Sequence, residues 1–263
     1  MSGIEFGISM LHCLSEPFKL MIKKLESIDT KLVEIVDDGY HTLNTRRVSI
    51  LKEISQLHKI KFTVHSPFAD LNISSPSKPM LNFMLKRLKR SMKFAKALDA
   101  KLWVLHPGIK TGISMFYPGM DWKQNVASIK LLSAYAIDLG IKIAIENLPE
   151  KYGFIMSTPE HFQQLFKDSY LEDVGLVLDT GHSNLEGKTE AFLKKLSGKI
   201  VQIHISDNMG KDDQHLSVGY GNIDWKNFAK ILSEINYKKI IMIETVENVR
   251  SSLCKIKKLL NYP

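Results

Sequence analysis

The chain is poor in cysteine, with only Cys13 and Cys254. Two thiols so far apart form neither a disulfide framework nor a CxxC pair, so both are expected to be reduced. Also missing is any run of about 18 apolar residues, which excludes a membrane-spanning helix. Met1 to Leu11 lacks the basic start and long apolar stretch of a signal peptide, so the expectation is a soluble, cytoplasmic protein with no membrane partner. No low-complexity tract and no linker rich in Pro, Gly or Ser divides the sequence, so one domain over 1–263 is expected. No GxGxxG follows the first apolar run, leaving a dinucleotide site without support.

What is present is ordinary for a globular protein, 44% hydrophobic and 24% charged, which excludes a disordered class. Lys and Arg number 36 against 28 Asp and Glu, a net charge of +8 that favours polyanions such as nucleic acid or phosphorylated metabolites. Much of this charge lies in Lys86, Arg87, Lys89, Arg90, Lys93 and Lys96. Leu81, Leu85, Leu88, Met92 and Ala95 repeat through the same segment at helical spacing, so the run is expected to be the solvated face of an amphipathic helix.

Short apolar runs alternate with helical patterns along the whole chain. Strands are expected at 4–10, 32–36, 60–65, 101–106, 141–146, 175–179, from 199 into His204, and at 239–244. Helices are expected at about 17–27, 44–58, 79–98, 122–139, 188–196, 225–235 and 247–260, with another opening at the capping pattern Ser157-Thr158-Pro159-Glu160. Eight such units argue for a parallel sheet closed into an α/β fold of the (β/α)8 TIM-barrel type, with an open doubly wound sheet as the alternative.

The polar residues fit the barrel. His65, His106, Glu146, Asp179, His204 and Glu244 each close a different strand, and in a barrel those ends converge on the mouth. The stretch 199–224 is the densest, carrying His204, Asp207, Asp213 and His215 before Gly219-Tyr220-Gly221; imidazoles and carboxylates grouped in this way suggest metal ligands. Period-2 alternation turns Trp103 and Leu105 toward the helices and Leu102 and Val104 the other way. Met10, Met80, Met84 and Met92 are expected as core fillers, Trp225 as a packing residue, and His58 and His161 as surface or capping groups. Phe68 and Tyr220 are expected near the mouth, able to stack on a sugar or a base.

The motifs HSPFADLN at His65, LHPG at His106, IENLPE at Glu146, LDTGH at Asp179, HISDN at His204, DQHLSVGYGNIDW at Asp213 and IET at Glu244 resemble those of the xylose isomerase-like barrel superfamily. That group includes sugar isomerases and epimerases as well as endonuclease IV, a DNA-repair enzyme. The resemblance implies a core metal set of Glu146, Asp179, His204 and Glu244. The endonuclease pattern adds His65, His106, His182, Asp213 and His215. One ion in the core set implies Mn²⁺, Mg²⁺ or Co²⁺; three ions over all nine positions imply Zn²⁺.

The resemblance to the isomerases implies a divalent-metal-dependent sugar or sugar-phosphate isomerase or epimerase. Glu146 and Glu244 would act as base and acid, Glu34 would lie next to the sugar, and His182 would bind the hydroxyl that turns over. Lys151, Lys110 or Lys211 would hold a phosphate. The alternative is zinc-dependent hydrolysis of DNA at abasic sites. Against it, the Asp213-Gln214-His215 triplet lacks the Arg that endonuclease IV places between Asp and His, and the loop before it is short. A barrel kept only as a metal-binding or interaction scaffold is a third reading.

Overall fold

Eight short strands run parallel and close on themselves in sequential order: β1 (Glu5–Ser9), β2 (Leu32–Val36), β3 (Lys61–His65), β4 (Trp103–Leu105), β5 (Ile143–Glu146), β6 (Gly175–Asp179), β7 (Ile200–Ile205) and β8 (Ile240–Ile243), with β8 pairing back onto β1. This is the expected (β/α)8 TIM barrel, here a computed structural model describing residues 3–167 and 171–262. Residues 1, 2, 168–170 and 263 of the expected 1–263 domain lie outside the described residues. β2, with sequence LVEIV, is buried at every position because the barrel interior covers one face and helices the other.

Helices α1 (Phe18–Glu26), α2 (Thr45–His58), α3 (Lys78–Ala97), α4 (Met120–Leu139), α5 (Pro159–Leu165), α6 (Thr180–Leu185), α7 (Thr189–Leu196), α8 (Trp225–Glu234) and α9 (Val249–Leu259) follow the strands. Local chemistry sets their ends. The Asn44 side chain accepts from Arg47 N to start α2, Asp224 accepts from Lys226 N and Asn227 N to start α8, and Gly140, at φ 62°, ends α4 in the left-handed conformation glycine adopts freely. The alternation in β4 holds: Trp103 and Leu105 join the strand-to-helix core, and Leu102 and Val104 pack inside the barrel with Ala144 and Val177. The Trp103 indole donates to Ser91 of α3 at 3.1 Å.

Several expectations are corrected. β4 is shorter than 101–106, so His106 lies beyond its last paired residue. Met10, Met84 and Met92 are buried, but Met80 is 55% exposed, because in the first turn of α3 it points to solvent. The pattern at 157–160 starts α5 without a side-chain cap; instead Ser157 N donates to His161 Nδ1, which makes His161 the capping group. Of the basic run on α3, Arg87 does not stay in solvent: it donates twice to the buried Asp37 carboxylate at 2.8 and 2.9 Å, an ion pair tying α3 to the end of β2. Tyr220 is 64% exposed and stacks under Lys255 rather than over the mouth. Among the described residues, no helix is long and apolar enough to cross a membrane.

Candidate metal and substrate site

The C-terminal ends of β3 to β8 deliver ligand-type side chains to the barrel mouth. His65 ends β3, His106 follows β4, Glu146 ends β5, Asp179 ends β6, His204 lies one residue before the end of β7, and Glu244 follows β8. The loop after β7 adds Asp213 and His215. These side chains form three groups, each with donor atoms within 4.8 Å of one another: Glu146, Asp179, His204 and Glu244; His65, His106 and Glu146; and His182, Asp213 and His215.

In the four-residue group, His204 Nδ1 lies 3.2 Å from Glu146 Oε1 and 3.0 Å from Glu244 Oε2. Asp179 uses Oδ1 to accept from His182 N at 2.7 Å, capping α6, while its Oδ2 is buried with no hydrogen-bond partner. Asp213 Oδ1 is buried and unpartnered as well. A buried carboxylate oxygen with no donor is costly unless a cation meets it, and here the orphaned oxygens belong to the groups whose donors converge. The donor set therefore fits divalent ions.

The imidazoles are oriented for the same purpose. The Nδ1–H groups of His65, His182 and His215 have backbone carbonyl acceptors in Ser66 at 2.8 Å, Asn147 at 2.9 Å and Glu244 at 2.9 Å. In the neutral ring that bond leaves Nε2 as the free donor for an ion, and each Nε2 faces a carboxylate of its group. His204 is reversed. Its Nδ1 faces the site, and its Nε2 lies 3.1 Å from Glu34 Oε1 at the barrel's interior.

Glu34 is thus a correction. As the third residue of β2 it sits below the rim, fully buried, accepting from Thr63 Oγ1 at 3.0 Å and Gln202 Nε2 at 2.7 Å. Val36, two residues later on the same face, reaches the cavity instead. Glu34 holds His204 from behind and does not line the cavity. Gln202, missed in the sequence, shares the inward face with His204 by period 2, and its polar side chain in an apolar strand was the available signal. Asn147 was missed too: it exchanges side-chain bonds with the Asp179 backbone while its carbonyl orients His182.

Two further candidates fall away from the site. Asp207 is not a ligand, because its carboxylate is consumed by Asn208 N, Gly219 N, Ile223 N and the Trp225 indole, which fold the loop carrying Asp213 and His215. Gly221 packs so closely on Asp207 that a Cβ there would lie 2.2 Å from its Oδ1. Lys151 turns outward to the Asp212 carboxylate and the Lys211 carbonyl, and Lys110 pairs with Glu150, so none of these lysines lines the cavity. His182 does line it.

Without an ion, the site is held by its own charges. Burial disfavours charged His65, but the bond and charge of Glu146, with Glu34 and Glu244, overcome it and raise the ring to about 9. Burial likewise opposes charged His182 and His215; Asp179 and Asp213 lift His182 to about 10, and Asp213 lifts His215 to about 9. His204 is raised well above its usual value against burial by Glu244, Glu34 and Glu146. Burial also works against ionised Glu146 and Glu244, but His204 holds both below the usual carboxylate range. Asp179 goes the other way, raised to about 6 chiefly by burial. Burial lowers His106.

Above this floor opens a cavity of about 880 Å³. His65, His106, Glu146, His182, Asp213, His215 and Glu244 contribute to its base, and its wall is mainly apolar. Phe68 is placed as expected, its ring 5.3 Å from that of His106 and 5.4 Å from that of His65.

Comparison with known proteins agrees with this geometry. Residues 22–259 match the family model of the xylose isomerase-like TIM barrel. The uncharacterized protein MJ1311 of Methanocaldococcus jannaschii is 31% identical over 260 residues, covering 98% of this chain and 88% of that protein. A probable endonuclease 4 of Mesoplasma florum is 27% identical, covering 81% of this chain and 76% of its own length. Among solved structures, a D-tagatose 3-epimerase-like protein superposes with a TM-score of 0.90 at 29% identity over 98% of both chains.

Proposed function

Because the chain belongs to the xylose isomerase-like TIM-barrel family, we propose that it is a divalent-metal-dependent sugar epimerase or isomerase that moves a proton next to a carbonyl. The observation that carries this reading is the meeting of two buried carboxylates, Glu146 from β5 and Glu244 after β8, on one imidazole nitrogen at the base of a cavity sized for a small molecule. Glu146, Asp179, His204 and Glu244 would hold the ion, and their mixed oxygen and nitrogen donors suit Mn²⁺, Mg²⁺ or Co²⁺. Bound there, the ion would supply Lewis-acid stabilisation of the negative charge that develops on the carbonyl oxygen as the adjacent proton leaves.

The chain's own residues supply the rest. Of Glu146 and Glu244, one carboxylate accepts the proton and the other, protonated from solvent, returns one to the carbon, after which the first releases its proton to solvent. His182, with Nε2 at the cavity base beside Asp213, holds a substrate hydroxyl. Metal-loaded protein turning over a ketose in heavy water is expected to place deuterium on the carbon next to the carbonyl, read by NMR, and Glu244→Gln is expected to remove that exchange. Absence of exchange with every ketose tried, together with efficient incision of an abasic-site duplex, would overturn the proposal.

One observation favours the second reading, zinc-dependent hydrolysis of DNA at abasic sites. The groups His65–His106–Glu146 and His182–Asp213–His215 flank the core set, providing donors for three ions. Binding DNA, however, depends on cations that meet phosphates. Among the described residues the cavity lining contains no Lys or Arg, Gln214 accepts from Met209 N where a cation is wanted, and the basic residues of α3 line a groove against α4.

A further inference from the structure

The cavity has two chemically distinct halves. All of its charged-type lining except His12 belongs to the three donor groups at the base, where it would engage the ions and the carbonyl end of a sugar. The rest of the wall is formed largely by Leu11, Leu14, Phe68, Leu148, Tyr152 and Phe154, from the loops after β1, β3 and β5. Phe68 and Phe154 flank His106, with ring separations of 5.3 and 6.1 Å, so the apolar wall starts directly at the donor groups and continues outward to the rim at Tyr40, which is 65% exposed.

A free ketose can lay one C–H face on a ring such as Phe68, but with a hydroxyl on nearly every carbon it leaves most of that wall uncovered. A phosphate dianion fits it still less. The lining contains no Lys or Arg among the described residues, and the three lysines that the sequence offered for a phosphate are turned away from it, with Lys110 and Lys151 paired to Glu150 and Asp212. The volume, about 880 Å³, lies toward the upper end of the roughly 300–1,000 Å³ typical of pockets for drug-sized ligands, more than one monosaccharide fills. A mainly apolar cavity with a few convergent polar groups at its base is the usual form of a small-molecule site.

We infer that the substrate is an unphosphorylated keto sugar bearing an apolar, ring-sized substituent away from its carbonyl, the sugar lying on the donor groups and the substituent against Phe68 and its neighbours. This rests on the epimerase reading and specifies its substrate class. The substituent stays off the reacting carbons, so the proton transfer is unchanged: one C–H bond breaks, one forms, and no other reactant is needed.

The test uses the manganese-loaded protein and three compounds that share one ketohexose core and differ at carbon six: the free hydroxyl, its benzyl ether and its phosphate ester. Calorimetric titration is expected to show the benzyl ether binding at least about tenfold tighter than the parent, in line with the 10- to 200-fold worth of small apolar differences in a pocket, and the phosphate binding no tighter than the parent. Phe68→Ala is expected to weaken the benzyl ether at least about fivefold more than it weakens the parent, so that most of the benzyl advantage is lost; Tyr40→Ser, at the exposed rim, gives a smaller loss in the same direction. Equal affinity of benzyl ether and parent, or tightest binding of the phosphate, would overturn the inference while leaving the epimerase reading intact. Deuterium exchange into the same compounds tests that reading separately: tight benzyl binding without exchange into any of them would sink the reading and this substrate assignment with it.

Discussion

Glu146→Gln is expected to lower kcat by about 10³-fold or more, the upper part of what removing a positioned proton-transfer group costs, and to strip the core ion at the same time. Few single atoms in the fold carry so much. Glu146 Oε1 lies 3.2 Å from His204 Nδ1 in the core set, while Oε2 lies 3.2 Å from His65 Nε2 and 3.3 Å from His106 Nε2 in the neighbouring set. An amide keeps the shape but replaces one oxygen with a donor, so one of the two sets loses its acceptor whichever way the group turns. The side chain is buried and the change nearly isosteric, so the barrel is expected to fold. Steady-state rates and metal content measured on the same preparation check this. Glu34→Gln provides the contrast: Glu34 meets the donor groups only through the back of His204, so ion affinity is expected to fall by about 10- to 100-fold, with residual turnover recovered at high metal concentration.

Removing the ion is the second large effect. A ligand present at about 1,000 times its Kd and bound only by the native state contributes about 4 kcal/mol, and for a chain near this size each kcal/mol moves Tm by about 2–4 °C. Chelation is therefore expected to lower Tm by about 8–16 °C. The size of the drop depends on pH, with a sign set by the imidazoles. His65, His182 and His215 are raised to about 9, 10 and 9 in the ion-free fold, so protons compete with the ion at neutral pH and below, and Asp179, at about 6, adds a further competing proton in mild acid. In the ion-free protein these same raised values stabilise fully below the unfolded imidazole value of about 6.5, and that contribution is lost as pH rises through 9 to 10. Both trends point one way: the gap in Tm between loaded and chelated protein is expected to widen from pH 6 to pH 9. Thermal unfolding followed by circular dichroism at several pH values measures it.

How much of this was legible in the sequence depends on the range of each signal. Strand and helix alternation is local, so β2 and β6 were placed to the residue and the closed barrel followed from their number. Six of the nine donor positions were legible for a related reason: each stands at or beside the end of an apolar run, and the barrel converts that one-dimensional position into convergence, while His182, Asp213 and His215 lie beyond the strand ends and were legible only through the motifs that hold them. Depth within the barrel was not legible. Glu34 and Glu146 are both acidic residues in short apolar strands, but one is mid-strand beneath the donors and the other terminal among them. Partners formed by distant segments were hidden as well. Asp207 reads like another ligand until four donors from its own loop and Trp225 are seen to occupy it, and Lys151 reads as free until Asp212 folds back onto it. Helix α6 is six residues long, too short for a periodic signal, yet its Asp179 cap is what sets His182 into the site.

The claim on which the rest depends is that four strand ends grip a cation, and anomalous diffraction from crystals grown with Mn²⁺ tests it most directly. The expected result is a strong peak about 2.0–2.2 Å from donor atoms of Glu146, Asp179, His204 and Glu244 together, lost in Glu146→Gln. Crystals with ordered side chains at these four positions and no anomalous density among them, at saturating metal, would contradict it.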